Sequence, residues 1–152
     1  DNIQNKLIIM RRGSRLTNDQ ILRVRGIQRK RIIIEESGGV FSISEVLDLT
    51  GWSQEQLMYK WFHGLILGLE LIGDIAFPQF QFASGKVIDG LEDVNILLNK
   101  DKISFWSCCH FLLNNHGYFG HNPQLTPLDA IKSGRKDEVL KLVQTRFDQV
   151  AY

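Results

Sequence analysis

The sequence predicts a mainly α protein, a helix-turn-helix with a small β-hairpin, winged-helix-like in outline, followed by a small helical domain. Three observations carry this. Ser42 and Glu45 form an S-x-x-E capping box, with Phe41 and Val46 placed as a hydrophobic staple. Ser53 and Gln56 repeat the box eleven residues later, with Trp52 and Leu57 as the staple pair. Gly51 and Gly64 stand where each helix should end, because glycine enters the left-handed region without strain. The expected units are 1–37, a basic arm and first helix; 38–88, the helix-turn-helix with its hairpin; and 89–152, the helical part.

The chain has 152 residues, 43% of them hydrophobic, which is enough for one compact domain or two small ones. No apolar run reaches the roughly 18 residues that span a bilayer. The first residues lack the charged-then-apolar layout of a signal peptide. Cys108 and Cys109 are sequence neighbours in an apolar segment, an arrangement unsuited to a structural disulfide between them. These features favour a cytoplasmic protein with no membrane association.

A net charge of +1 hides an asymmetry. Residues 1–34 carry nine Lys and Arg against two Asp, a balance of +7, and the remainder carries nine basic against fifteen acidic groups, a balance of −6. A basic arm on an acidic body fits nucleic acid or an acidic partner surface, and equally a solvated helix face.

Taken in order, 3–10 (IQNKLIIM) reads as a short strand or an ordered arm. Thr17 and Gln20 box a helix starting at Asn18 and running toward Glu36, with Gly38-Gly39 as its stop. Arg25 and Arg29 lie four apart on one face, near Lys30, and Arg11, Arg12 and Arg15 precede them. Guanidinium groups so spaced can grip successive phosphates, the usual source of sequence-independent DNA affinity. In the second helix of the pair, Leu57, Met58, Trp61 and Phe62 are expected inside. Gln54, Glu55, Tyr59, Lys60 and His63 are expected outside, with Gln54, Tyr59 and Lys60 the candidate DNA contacts. Glu55 cancels Lys60, which weakens that signal. A hairpin follows from Leu65 to Phe82, turning at Gly73-Asp74, and Pro78 ends its pairing. Asp74 at the tip opposes phosphate contact.

Asp89 and Glu92 suggest another capping box, opening a helix to about Asn99. Lys102 to Leu113 is apolar nearly all round and expected to be buried. After a turn-rich loop over 114–124, Thr126, Pro127 and Asp129 start a short helix that Gly134 ends. A last helix runs from Lys136 to about Val150.

Catalytic chemistry is hard to find. Cys108, Cys109, His110, His116 and His121 cluster in sequence, but their spacing matches no standard zinc arrangement. Cys109 and His110 point different ways on a helix, which removes a Cys–His nucleophile. No GK[ST]-ended phosphate loop is present. We expect a binding protein, with no enzyme activity, metal or cofactor.

The stretches HGLILGLELIGDIAFPQFQF and FLLNNHGYFGHNPQLTPLDAIKSGRKDEVLKLV resemble the Xre/MbcA/ParS-type antitoxins over about Gly38 to Val143. The most specific pieces are Phe77-Pro78 with Phe80-Gln81-Phe82, and Thr126-Pro127-Leu128 with Gly134-Arg135. The resemblance implies an N-terminal part that binds DNA, usually as a homodimer. It also implies a C-terminal part that occludes a toxin, commonly a RES-type enzyme. Its toxin-facing positions would be the 114–123 loop with Asn122, then Pro127, Leu128, Gly134, Arg135 and the last helix. Arg135 would serve as a carbonyl cap or as an interface charge. The leading expectation is an antitoxin that neutralises a toxin and binds its own operator. The alternative is a DNA-binding regulator or adaptor without a toxin.

Overall fold

The computed structural model describes residue 32, residues 34–119 and residues 124–148, with only the backbone of 147 and 148. The 3–10 segment and the helix start at Asn18 lie outside the described residues. The first described helical residues end at Glu36, where Ser37 Oγ and the Gly39 N–H both donate to the Ile34 carbonyl (2.8 and 2.9 Å).

Helix α1 (Ile43–Thr50) and helix α2 (Gln54–Phe62) begin at the two predicted capping boxes. In α1 the Glu45 N–H donates to Ser42 Oγ at 3.2 Å and the Ser42 N–H to Glu45 Oε1 at 3.0 Å. In α2 the matching distances for Ser53 and Gln56 are 3.1 and 2.9 Å. Each box satisfies two backbone donors that a helix start otherwise leaves to water. Gly51 and Gly64, both at φ 76°, turn the chain out of the helices.

The hairpin consists of β2 (Leu69–Leu71) and β3 (Asp74–Pro78) in antiparallel register, Leu71 opposite Asp74 and Leu69 opposite Ala76. Its two turn residues are therefore Ile72 and Gly73, one step earlier than the sequence suggested, because Asp74 already belongs to the ladder. The Asp74 carboxylate accepts the Ile75 N–H at 2.7 Å. A two-residue strand, β1 (Val40–Phe41), pairs with the far edge of β3, Phe41 opposite Phe77, and the strand order is β1-β3-β2. A 3-10 turn, Gln79–Gln81, leads into a second small hairpin of β4 (Phe82–Ala83) and β5 (Lys86–Val87).

Four helices complete the described chain after the two hairpins and the helix pair: α3 (Leu91–Lys100), α4 (Phe105–Leu113), α5 (Pro127–Lys132) and α6 (Lys136–Asp148). The Asp89–Glu92 capping box does not form. Gly90 (φ 90°) is the N-cap, with no side-chain bond, so α3 starts one residue later than expected. The acids of its first turn bond other elements instead, Glu92 to Lys60 and Asp93 to Lys136 (2.7 and 2.8 Å). Helix α5 starts as read, with Thr126 as N-cap, Pro127 at its start and Asp129 in its first turn, and the Thr126 and Asp129 side chains close a capping box there. In α4 only part of the surface is covered. Cys108, Cys109, Phe111 and Leu112 are buried, Phe105 and Trp106 half-buried, and Ser107 and His110 exposed. The stretch is thus a one-sided helix rather than an enclosed one.

The frame is mainly helical with small antiparallel sheets. One continuous cluster of buried side chains runs through it, from Ile34, Val46 and Leu57 past Phe77 and Leu91 to Phe111, Leu128, Val139 and Val143. Within it sits a fully buried amide. Gln81 Oε1 accepts the Leu67 N–H at 2.6 Å, and its Nε2 donates to the Leu67 and Pro78 carbonyls at 2.8 and 3.2 Å. Gln81 serves Leu67 as a neighbouring strand would. No described helix is long and apolar enough to cross a membrane.

Candidate nucleic-acid interface

Helix α2 is held by one side only. Leu57 is fully buried, Met58 and Trp61 are half-buried, and the Trp61 indole donates to the Gly68 carbonyl at 2.9 Å. Phe62, expected inside, is 76% exposed. At 3.6 residues per turn it lies roughly 140° around the helix from Leu57, whereas Trp61 lies about 40° away. The i, i+1, i+4, i+5 spacing was too generous at its last position.

The outward face of α2 therefore carries Glu55, Tyr59, Phe62 and His63, with Gln56 beside them and Gln54 at the helix start. Its rings touch. The Tyr59 and His63 centroids are 4.2 Å apart, and Phe62 meets His63 edge-on at 5.4 Å. An open groove lined by Trp52, Glu55, Gln56, Tyr59, Lys60 and Leu65 follows this face.

Lys60 is less available than the sequence implied. Its ammonium pairs with Glu92 at 2.7 Å and lies 4.9 Å from the centre of the Trp52 ring. It ties α2 to α3, a partly buried contact, and gives the α2 face little positive charge. Gln54 and Tyr59 are exposed, as expected for contact residues. Arg11, Arg12, Arg15, Arg25, Arg29 and Lys30 lie outside the described residues.

At the hairpin tip Ile72 is 93% exposed. Neighbouring Glu70 is exposed and Asp74 half-buried, so the tip is apolar and acidic rather than basic.

The residues read as partner-facing divide between the interior and the surface. Pro127 and Leu128 are buried, where they set the start of α5 and its packing. Gly134 is an exposed turn residue between α5 and α6. Arg135 grips Glu138 through two bonds and lies 4.8 Å from the centre of the Phe119 ring, joining the α5–α6 turn to the loop after α4. That bond holds the Glu138 carboxyl below the usual range. Asn122 lies outside the described residues.

The Cys/His cluster is split by the fold. Burial pushes the Cys108 thiol up to about 12 and raises Cys109 further, so both are poor nucleophiles. His116 leaves the helix and stacks between Phe111 and Tyr118 (5.9 and 5.0 Å), its Nε2 3.2 Å from the Phe111 carbonyl. Partial burial, then nearby Arg146 and His110, hold it below the ordinary histidine value. Among the described residues no three His, Cys, Asp or Glu stand close enough to share a metal ion. His121 lies outside them.

No family model matches the chain, and no curated protein matches it. Among solved structures it is similar to the NMR structure of Rv2175c, with a TM-score of 0.57 and 17% identity over 70% of this chain and 80% of that one. At this identity the likeness concerns the fold. Seventy per cent of 152 residues is about 106, more than either 1–88 or 89–152 contains, so the shared frame takes in both halves.

Proposed function

We propose that the protein is a DNA-binding regulator whose winged-helix-like half presents α2 to the major groove. What supports this is the element order: a helix, β1, α1, α2, then a β2–β3 hairpin whose second strand pairs back onto β1. That arrangement braces a helix-turn-helix from one side and leaves the outer face of its second helix open, as groove insertion requires. Affinity comes from the phosphates, gripped by the segment that carries the +7 balance, and the neutral α2 face orients and discriminates.

The test is DNA affinity against salt. We expect duplex binding at low ionic strength that weakens steeply as salt rises. Changing Arg25 and Arg29 together to alanine should flatten the log–log slope by roughly 2, one unit for each lost phosphate contact. No duplex binding by the folded protein at low salt overturns the proposal.

A second reading keeps the toxin. The pieces that carry the antitoxin resemblance, Thr126-Pro127-Leu128 and Gly134-Arg135, form a capped helix start and a clasped helix–helix turn, so the motif has a structural basis beyond sequence likeness. In this reading the helical half neutralises a cognate toxin, RES-type or related, in the cytoplasm, and a homodimer binds the operator. Co-expression with the product of the adjacent gene should yield a stable co-purifying complex and restore growth. Separate elution together with unrelieved toxicity removes this reading and leaves the first intact.

A further inference from the structure

The outer face of α2 is unusual for a helix that meets DNA. Its one lysine is drawn away to Glu92, and it has no arginine. The side chains left outward are Gln54, Glu55 and Gln56 in the first turn, the Glu55 carboxylate among them, then Tyr59 at 60% exposure and Phe62 at 76%, with His63 against both rings. Tyr59 and Phe62 are three apart and therefore neighbours on one row.

Such a face has no guanidinium to take the O6 and N7 acceptors of guanine. It offers apolar ring surface instead, and the apolar group exposed in the major groove is the C5-methyl of thymine. The carboxylate of Glu55 suits the amino donors of cytosine or adenine and repels phosphate, which favours placement at base edges. The rings are costly to leave in water, so covering them provides a driving force that needs no charge on the helix. The charge complement to DNA lies in the +7 segment.

We propose that Tyr59 and Phe62 read thymine methyl groups in the major groove, making the protein selective for T-bearing steps. The inference rests on the DNA-binding reading above and names its recognition chemistry.

The experiment takes sites enriched by the full chain from a random duplex pool and replaces thymine with deoxyuracil, one position at a time. This removes the methyl and keeps base pairing. Affinity should fall about fourfold at each read position, the value of one buried methyl group. Phe62→Ala and Tyr59→Ala should still bind duplex at low salt but treat thymine and deoxyuracil alike. Since the methyl test is made on the unaltered protein, a variant that fails to fold leaves it standing. Equal affinity for thymine and deoxyuracil throughout the footprint overturns the inference while sparing the DNA-binding reading. So does a pool that binds without enriching any sequence. Absence of duplex binding overturns both.

Discussion

Replacing Gln81 with leucine should lower the unfolding free energy by about 3–5 kcal/mol, since each buried polar group left without a partner costs about 1–3 kcal/mol. The side chain is fully buried and serves three backbone groups at once: the Leu67 N–H, the Leu67 carbonyl and the Pro78 carbonyl. Leucine fills similar space but bonds none of them. Leu67 leads into β2, so the damage should fall first on the hairpin. Urea denaturation gives the number, and a loss below about 1 kcal/mol would show that water takes over the amide's bonds. Gln81→Glu sharpens the case. A carboxylate accepts the Leu67 N–H but faces two carbonyl oxygens, which favour the protonated form and raise its folded-state pKa. A raised folded pKa means stability present at acidic pH and lost as pH rises. The variant should therefore be weaker at pH 8 than at pH 5 by more than the unaltered protein is.

What sequence reading recovered here was local. A capping box spans four residues, and two of the three boxes read within the described residues formed, because their partners are covalently near. The third failed for a tertiary reason: Glu92 and Asp93 are used by Lys60 and Lys136, residues 32 and 43 positions away. The strand β1 was hidden for the same reason. Val40–Phe41 is only two residues long and exists because Phe77-Pro78 lies beside it. Gln81 reads in sequence as one polar residue among phenylalanines, and nothing local reveals that it bonds the Leu67 backbone fourteen residues upstream. The α2 face was legible except for Lys60, which a distant partner, Glu92, draws in, and Phe62, where helix geometry, followed to the angle, places the ring outside.

The partner positions teach the converse lesson. Thr126-Pro127-Leu128 and Gly134-Arg135 are distinctive because a helix start and a tight helix–helix turn demand them. A motif conspicuous for its folding role marks where a frame is shared, and says little about which surface of that frame is used. On α2 the position is reversed, since its conspicuous residues have no packing duty. Tyr59 and Phe62 are large rings 60% and 76% exposed, touched by His63 alone among the ring contacts of the described residues, and that exposure costs solvation. A functional reading is therefore stronger for that face than for α5.

The junction between the two halves offers the second large effect. Gly64 follows α2 at φ 76°, and a Cβ built there would lie 2.5 Å from Asn99 Cγ and 2.6 Å from its Cβ, on α3. Two costs then add for Gly64→Ala. A non-glycine residue in the left-handed region costs about 1–2 kcal/mol, and forcing the helix end away from α3 adds about 1–3 kcal/mol. The Asn99 Cβ sits on the backbone, so a rotamer change cannot relieve the clash. We expect a total loss of about 2–5 kcal/mol. Asn99→Gly in the same chain removes all three clashing atoms, Cβ, Cγ and Nδ2, and should recover the steric part only, leaving the left-handed cost. A double-mutant cycle by denaturation separates the two. Full additivity of the single changes would mean that the halves do not meet at this point. Strong coupling would identify Gly64 as the residue that lets α2 approach α3 closely enough for Lys60 to reach Glu92, a pairing that withdraws charge from the outward face.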